Sequence, residues 1–105
     1  MKNEHWIVES VQLINQHLLL EEGELSIVHP MDADAELFRQ LVPLIRRLLD
    51  RDLPRLLNAL YRIDVPESKV NAVLHLAEPD KIAPMLARLV MDREYQKIET
   101  RKKYS

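Results

Sequence analysis

The sequence predicts an all-α fold, a compact bundle of about five helices. Three observations carry this. Eighteen leucines stand against one glycine and one threonine, a composition rich in helix formers and poor in the residues that strands and tight turns favour. Apolar residues recur at i, i+3, i+4 and i+7 in five separate segments. Short clusters of Pro, Asp and the lone Gly divide those segments. A chain of 105 residues that is 47% hydrophobic supports one core, so residues 1–105 are expected to form a single helical domain, with 101–105 fraying.

Helix 1 is expected over about 4–21. Projection at about 100° per residue puts Trp6, Ile7, Val11, Ile14 and Leu18 on one face, with Leu13 and Leu20 at its edge. Gly23 ends it, because glycine tolerates the left-handed conformation after a helix. Glu24 to Pro30 then reads as a connector whose Leu25 and Ile27 tuck onto the core. Helix 2 starts near Asp32, whose carboxylate is expected to cap free backbone N–H groups. Asp34 and Glu36 follow in the first turn, where the helix dipole favours acids. Leu37, Leu41, Leu44, Ile45, Leu48 and Leu49, with Phe38 and Val42, span an arc of about 160°. So wide an arc implies a central helix packed on two neighbours, or one with a second interface. Pro43 inside it is expected to kink or break the helix.

Helix 3, about 53–63, is opened by Asp52 and Pro54 and turns Leu53, Leu56, Leu57, Leu60 and Tyr61 inward. Asp64-Val65-Pro66-Glu67 matches a capping box for helix 4, about 66–77, which turns Val70, Val73, Leu74 and Ala77 inward. After Glu78-Pro79-Asp80, helix 5 starts near Asp80, carries Pro84 in its first turn, and buries Ile82, Met85, Leu86, Leu89 and Val90. It is long and is expected to extend past the body. The short connectors make consecutive helices neighbours.

At Leu60-Tyr61-Arg62-Ile63-Asp64-Val65, followed by the basic tail, the chain resembles a set of small bacterial helical proteins of unknown role. The likeness covers roughly the C-terminal half and contains no catalytic motif. It implies a bacterial source and an all-helical fold, and no function.

The composition removes several chemistries. One glycine cannot build a glycine-rich phosphate cradle. Without cysteine there is no disulfide, thiolate metal site or cysteine nucleophile. No apolar run approaches the roughly 18 residues of a membrane span, and the N-terminus carries no signal-peptide pattern, so a cytoplasmic protein without a membrane partner is expected.

The histidines offer two tempting arrangements. His17 projects onto the apolar face of helix 1 near Ser10, but seven helical residues separate their Cα atoms by about 10 Å, too far for a nucleophile and its base. His17 is expected instead to be half-buried and bonded to a carbonyl or an acid; His5 and His75 fall on polar faces. His29, Asp32 and Asp34, with Glu36, are the candidate metal ligands. A calcium loop fails, because the sixth and twelfth positions from Asp32 are Leu37 and Pro43. Helix capping explains these acids without a metal, and no cofactor is expected. Glu21 projects towards the apolar side of helix 1 but lies at its end, within reach of water.

Charge is distributed unevenly. Residues 1–36 hold one base against eight acids, a net −7, while residues 37–105 hold fourteen bases against nine acids, a net +5. Most informative are Arg93, Lys97 and Arg101, spaced i, i+4, i+8 on helix 5 along a line that continues its apolar stripe. They are the candidate partner-binding residues, and three readings compete. The stripe is solvated on a projecting helix, or it lies on acids of the first 36 residues of the same chain or a second copy, or it docks an external acidic partner. A second basic run comprises Arg46, Arg47, Arg51, Arg55 and Arg62. Aromatics are 5% and no helix-turn-helix with a glycine-bearing turn is present.

The expected function is therefore a non-enzymatic helical protein–protein interaction or regulatory module, open to self-association as a homodimer through helix 2 or helix 5. The alternative is nucleic-acid binding through Arg93, Lys97, Arg101, Lys102 and Lys103; a further alternative is a small enzyme with a cryptic site around His17 or His29.

Overall fold

The computed structural model describes residues 4–17, 32–76 and 78–104, and no side chain of residues 4–6 or 104. The expectations for His5, Trp6, Leu18, Leu20, Glu21, Gly23, the 24–30 connector with Leu25 and Ile27, His29 and Ala77 lie outside these. The described residues form five helices and no strand: α1 Glu4–His17, α2 Ala33–Arg51, α3 Leu53–Ile63, α4 Glu67–Leu74 and α5 Ile82–Tyr104, the last preceded by a 3-10 turn at Pro79–Lys81.

The 23-residue α5 is the axis of the molecule and packs against α1, α2, α3 and α4. Its most extensive contact is with α2, which buries Ala33, Leu37, Leu41, Ile45 and Leu48. The outer apolar positions of α2, Phe38, Val42, Leu44 and Leu49, are half-buried against the same core. The wide arc of α2 is thus mostly absorbed inside the fold. Ile7, Val11 and Ile14 of α1 are buried as the projection required.

The structure departs from expectation at four places. First, of the two outcomes expected at Pro43, a kink or a break, the break does not occur: α2 runs through the proline, which is exposed. Buried residues on both sides of it, Leu37 and Leu41 before and Ile45 and Leu48 after, anchor the helix in the core across the missing N–H. Pro43→Ala is expected to raise the stability by about 2–3 kcal/mol: the helix-interior penalty of about 3 kcal/mol is offset by up to about 1 kcal/mol of lost unfolded-state restriction. Thermal unfolding of the two proteins checks this.

Second, neither predicted side-chain cap forms as drawn. Asp32 precedes α2, but its φ of −110° and ψ of 22° lie off the extended conformation that aims a cap at the first turn, and its side chain makes no capping bond. Asp64 closes α3 rather than opening α4, which starts from Pro66. Asp52 does cap α3, accepting from the Arg55 N–H at 3.3 Å.

Third, α3 buries Leu56, Ala59, Leu60 and Ile63, while Leu53 and Leu57 are each 40% exposed and Tyr61 is 83% exposed. Of the expected inward row, only Leu56 and Leu60 are inside.

Fourth, the buried face of α5 comprises Ala83, Leu86, Ala87, Val90, Met91, Glu94, Tyr95 and Ile98. It is rotated by more than a quarter turn from the expected stripe, of which Met85 is 43% exposed and Ile82 and Leu89 are half-buried. The helix has buried residues as far as Ile98 and continues to Tyr104.

Candidate functional site

The rotation of α3 creates the most unusual surface. Leu53, Leu57 and Tyr61 follow one another at intervals of four residues, which places them in one exposed row along the helix. The row borders a groove of about 310 Å³ between α3 and α4, lined by Leu57, Leu60, Tyr61, Val65, Glu67, Val70 and Asn71. Contiguous exposed apolar surface of this kind marks interaction sites on small proteins.

The corner beneath this groove is tightly built. Asp64 is in the left-handed region (φ 69°), the one non-glycine residue with positive φ among those described. Its N–H bonds to the Tyr61 carbonyl at 3.0 Å, and the Val65 N–H reaches back to the Leu60 carbonyl at 3.1 Å. These two bonds form a Schellman motif, in which the left-handed position is usually glycine. Here Arg93 of α5 holds the aspartate instead. Its Nε donates to the Asp64 carbonyl at 2.9 Å and its Nη2 to the Asp64 carboxylate at 3.0 Å.

Thus the candidate cations of α5 do not form one open stripe. Arg93 is turned to Asp64 and also donates to Gln96 at 3.1 Å. Lys97 Nζ lies 3.4 Å from Glu94 Oε1 on the same helix. Arg101 is exposed. Lys102 pairs at 3.2 Å with Glu9 of α1, one of the acids of the first 36 residues. Arg93 and Lys97 are each only about a quarter exposed and flank the buried face of α5 rather than continue it.

Two polar clusters tie α5 to its neighbours. Arg88 grips Asp34 of α2 with two parallel bonds of 3.0 Å, and Tyr95 Oη donates to Asp34 Oδ1 at 3.0 Å. Arg88 also donates to Asp92. Hydrogen bonding to Asp34 makes the Arg88 guanidinium still harder to deprotonate, although its partial burial works against this. Tyr95, 4% exposed, has its phenol pushed well above the ordinary value of 10, chiefly by burial and then by the neighbouring Asp34 charge. A folded-state value above the unfolded one stabilises the fold fully below about pH 10, and the contribution disappears as the pH rises further. The stability difference between the wild type and Tyr95→Phe is therefore expected to shrink above about pH 10; unfolding midpoints from pH 8 to 11.5 would measure it.

The second cluster was not anticipated. Glu94 is fully buried, with Oε1 3.3 Å from His17 Nδ1 and 3.4 Å from Lys97 Nζ. Neither carboxylate oxygen has a well-aligned hydrogen bond, nor does His17 Nδ1. His17 is thus largely buried beside an acid, close to expectation. The signal for Glu94 was present, since Val90, Glu94 and Ile98 share one line of the helix at four-residue spacing.

The metal candidates do not converge. Asp34 is engaged by Arg88 and Tyr95, Asp32 is exposed, and His29 lies outside the described residues. Among the described residues no group of three or more His, Asp or Glu side chains is placed to hold a metal ion. No described helix is long and apolar enough to cross a membrane. In comparison with known proteins, no family model, curated sequence or solved structure matches the chain.

Proposed function

We propose that this chain is a non-enzymatic helical interaction module of the cytoplasm that engages a protein through the outer face of α3. The observation that carries the reading is the exposed row Leu53, Leu57 and Tyr61 beside the α3–α4 groove, apolar surface that the core leaves uncovered. It replaces helix 2 and the α5 cations as the docking surface. A phosphate backbone bound at Arg93, Lys97 and Lys102 would have to displace Asp64, Glu94 and Glu9, which weighs against nucleic acid. The α3–α4 groove holds Glu67 and Asn71 as its polar lining and no histidine, which weighs against a catalytic use.

A photo-cross-linking amino acid in place of Tyr61 tests the reading in cells. It is expected to capture a defined protein, a second copy of the chain included. Leu57→Glu, on the same row and 40% exposed, is expected to abolish the capture while leaving the fold intact by circular dichroism. Capture that survives Leu57→Glu, or no capture at all, would overturn it.

A further inference from the structure

A second property of the fold lies away from α3 and does not depend on its outer face. We infer that α1 is a detachable strap, which leaves α5 and unravels as a unit while α2 to α5 stay packed.

The seam between α1 and α5 is antiparallel, and two contacts fix its register. Glu9 Oε1 lies 3.2 Å from Lys102 Nζ, and His17 Nδ1 lies 3.3 Å from Glu94 Oε1. The two contacts are eight residues apart on each helix, and the same count sets half-buried Leu13 level with fully buried Ile98. The line of α5 that α1 covers therefore reads acid, apolar, base at four-residue spacing: Glu94, Ile98, Lys102.

Elsewhere on α5 the polar contacts are well made. Arg88 holds Asp34 of α2 with two bonds of 3.0 Å, and Arg93 holds Asp64 at the α3–α4 corner with bonds of 2.9 and 3.0 Å. At the α1 seam charges meet without aligned bonds. Neither Glu94 oxygen has one, nor does His17 Nδ1, although Glu94 is fully buried. The outer pair, Glu9 and Lys102, is 37% and 42% exposed, so it holds the helices together only weakly.

Opening the seam returns the Glu94 carboxylate and the His17 ring to water, which offsets part of what burial of Ile7, Val11 and Ile14 contributes. Once off α5, a helix of 14 residues is marginal in water, so α1 unravels and does not persist. The short α4 buries Val70 and Val73 and covers no buried, unbonded charge of this kind among the described residues. In the open form the line of Glu94, Ile98 and Lys102 faces solvent. A ligand that binds this line draws the protein open.

Hydrogen exchange of the wild type, read amide by amide at neutral pH, tests the inference. Amides of Val11 and Ile14 are expected to exchange at least about a hundredfold faster than those of Leu41 and Leu86, although all four residues are buried. Glu94→Met leaves no charge to rehydrate. It is expected to slow exchange in α1 by about tenfold or more, with α1 still faster than α2. If Glu94→Met does not fold, Glu94→Gln removes the charge at nearly the same volume and should slow α1 in the same direction.

Two outcomes overturn the inference. Equal exchange in α1 and α2 of the wild type would mean that α1 opens only when the whole fold does. Fast exchange in α1 that is unchanged in the folded Glu94 variant would mean local fraying that never exposes Glu94.

Discussion

Alanine in place of Leu41 is expected to destabilise the fold by about 3–4 kcal/mol. Leu41 lies at the centre of α2, fully buried in the face turned to α5. Removing its branched end leaves a cavity that helices pinned by Asp34 and Arg88 cannot close easily, so the loss exceeds simple transfer from water. A domain of this size has a total stability of about 5–15 kcal/mol, so the variant loses a large share of it. Leu57→Ala is the matched control. At 40% exposure, it should cost under about 1 kcal/mol. Urea unfolding of both variants decides the matter, and equal losses would mean that α3 is covered within the monomer.

Glu94→Met is expected to act in the opposite direction, stabilising the fold by about 2–3 kcal/mol. The carboxylate is fully buried, and its oxygens lie near His17 and Lys97 without aligned hydrogen bonds. Such an arrangement gives up hydration and recovers little of it, and an apolar side chain of similar volume often does better. His17 and Lys97 each retain some exposure and reach water once the acid is gone. Glu94→Ala removes the charge but leaves a void, so it should fall below Glu94→Met. A melting temperature for Glu94→Met at or below the wild type would show that the acid binds its neighbours more strongly than the geometry implies.

The helices themselves were legible because their boundaries are chemical. Asp52-Pro54, Asp64-Pro66 and Pro79 mark ends that the structure keeps to within a few residues. Which face each helix buries was less legible. On α3, Leu53, Leu57 and Tyr61 obey the same spacing as Leu56 and Leu60, so apolar periodicity supports two overlapping stripes and cannot say which one the core takes. The surplus stripe is the candidate site. On α5 the large apolar residues Met85 and Leu89 dominate the periodicity, while the interior also takes in Ala83, Ala87, Glu94 and Tyr95. The grip of Arg93 on Asp64, 29 residues away, and of Arg88 on Asp34, 54 away, joins segments that no local pattern connects.

The position of α5 in the chain has a consequence for biogenesis. Each of α1 to α4 packs on α5, and α5 is synthesised after them. On the ribosome, α1 to α4 therefore emerge with their apolar faces lacking the surface that covers them. The nascent chain cannot close its core until Tyr95 and Ile98 have left the exit tunnel. The core therefore waits for α5, and the interval before it emerges is when the leucine-rich segments are most open to chaperones and to aggregation.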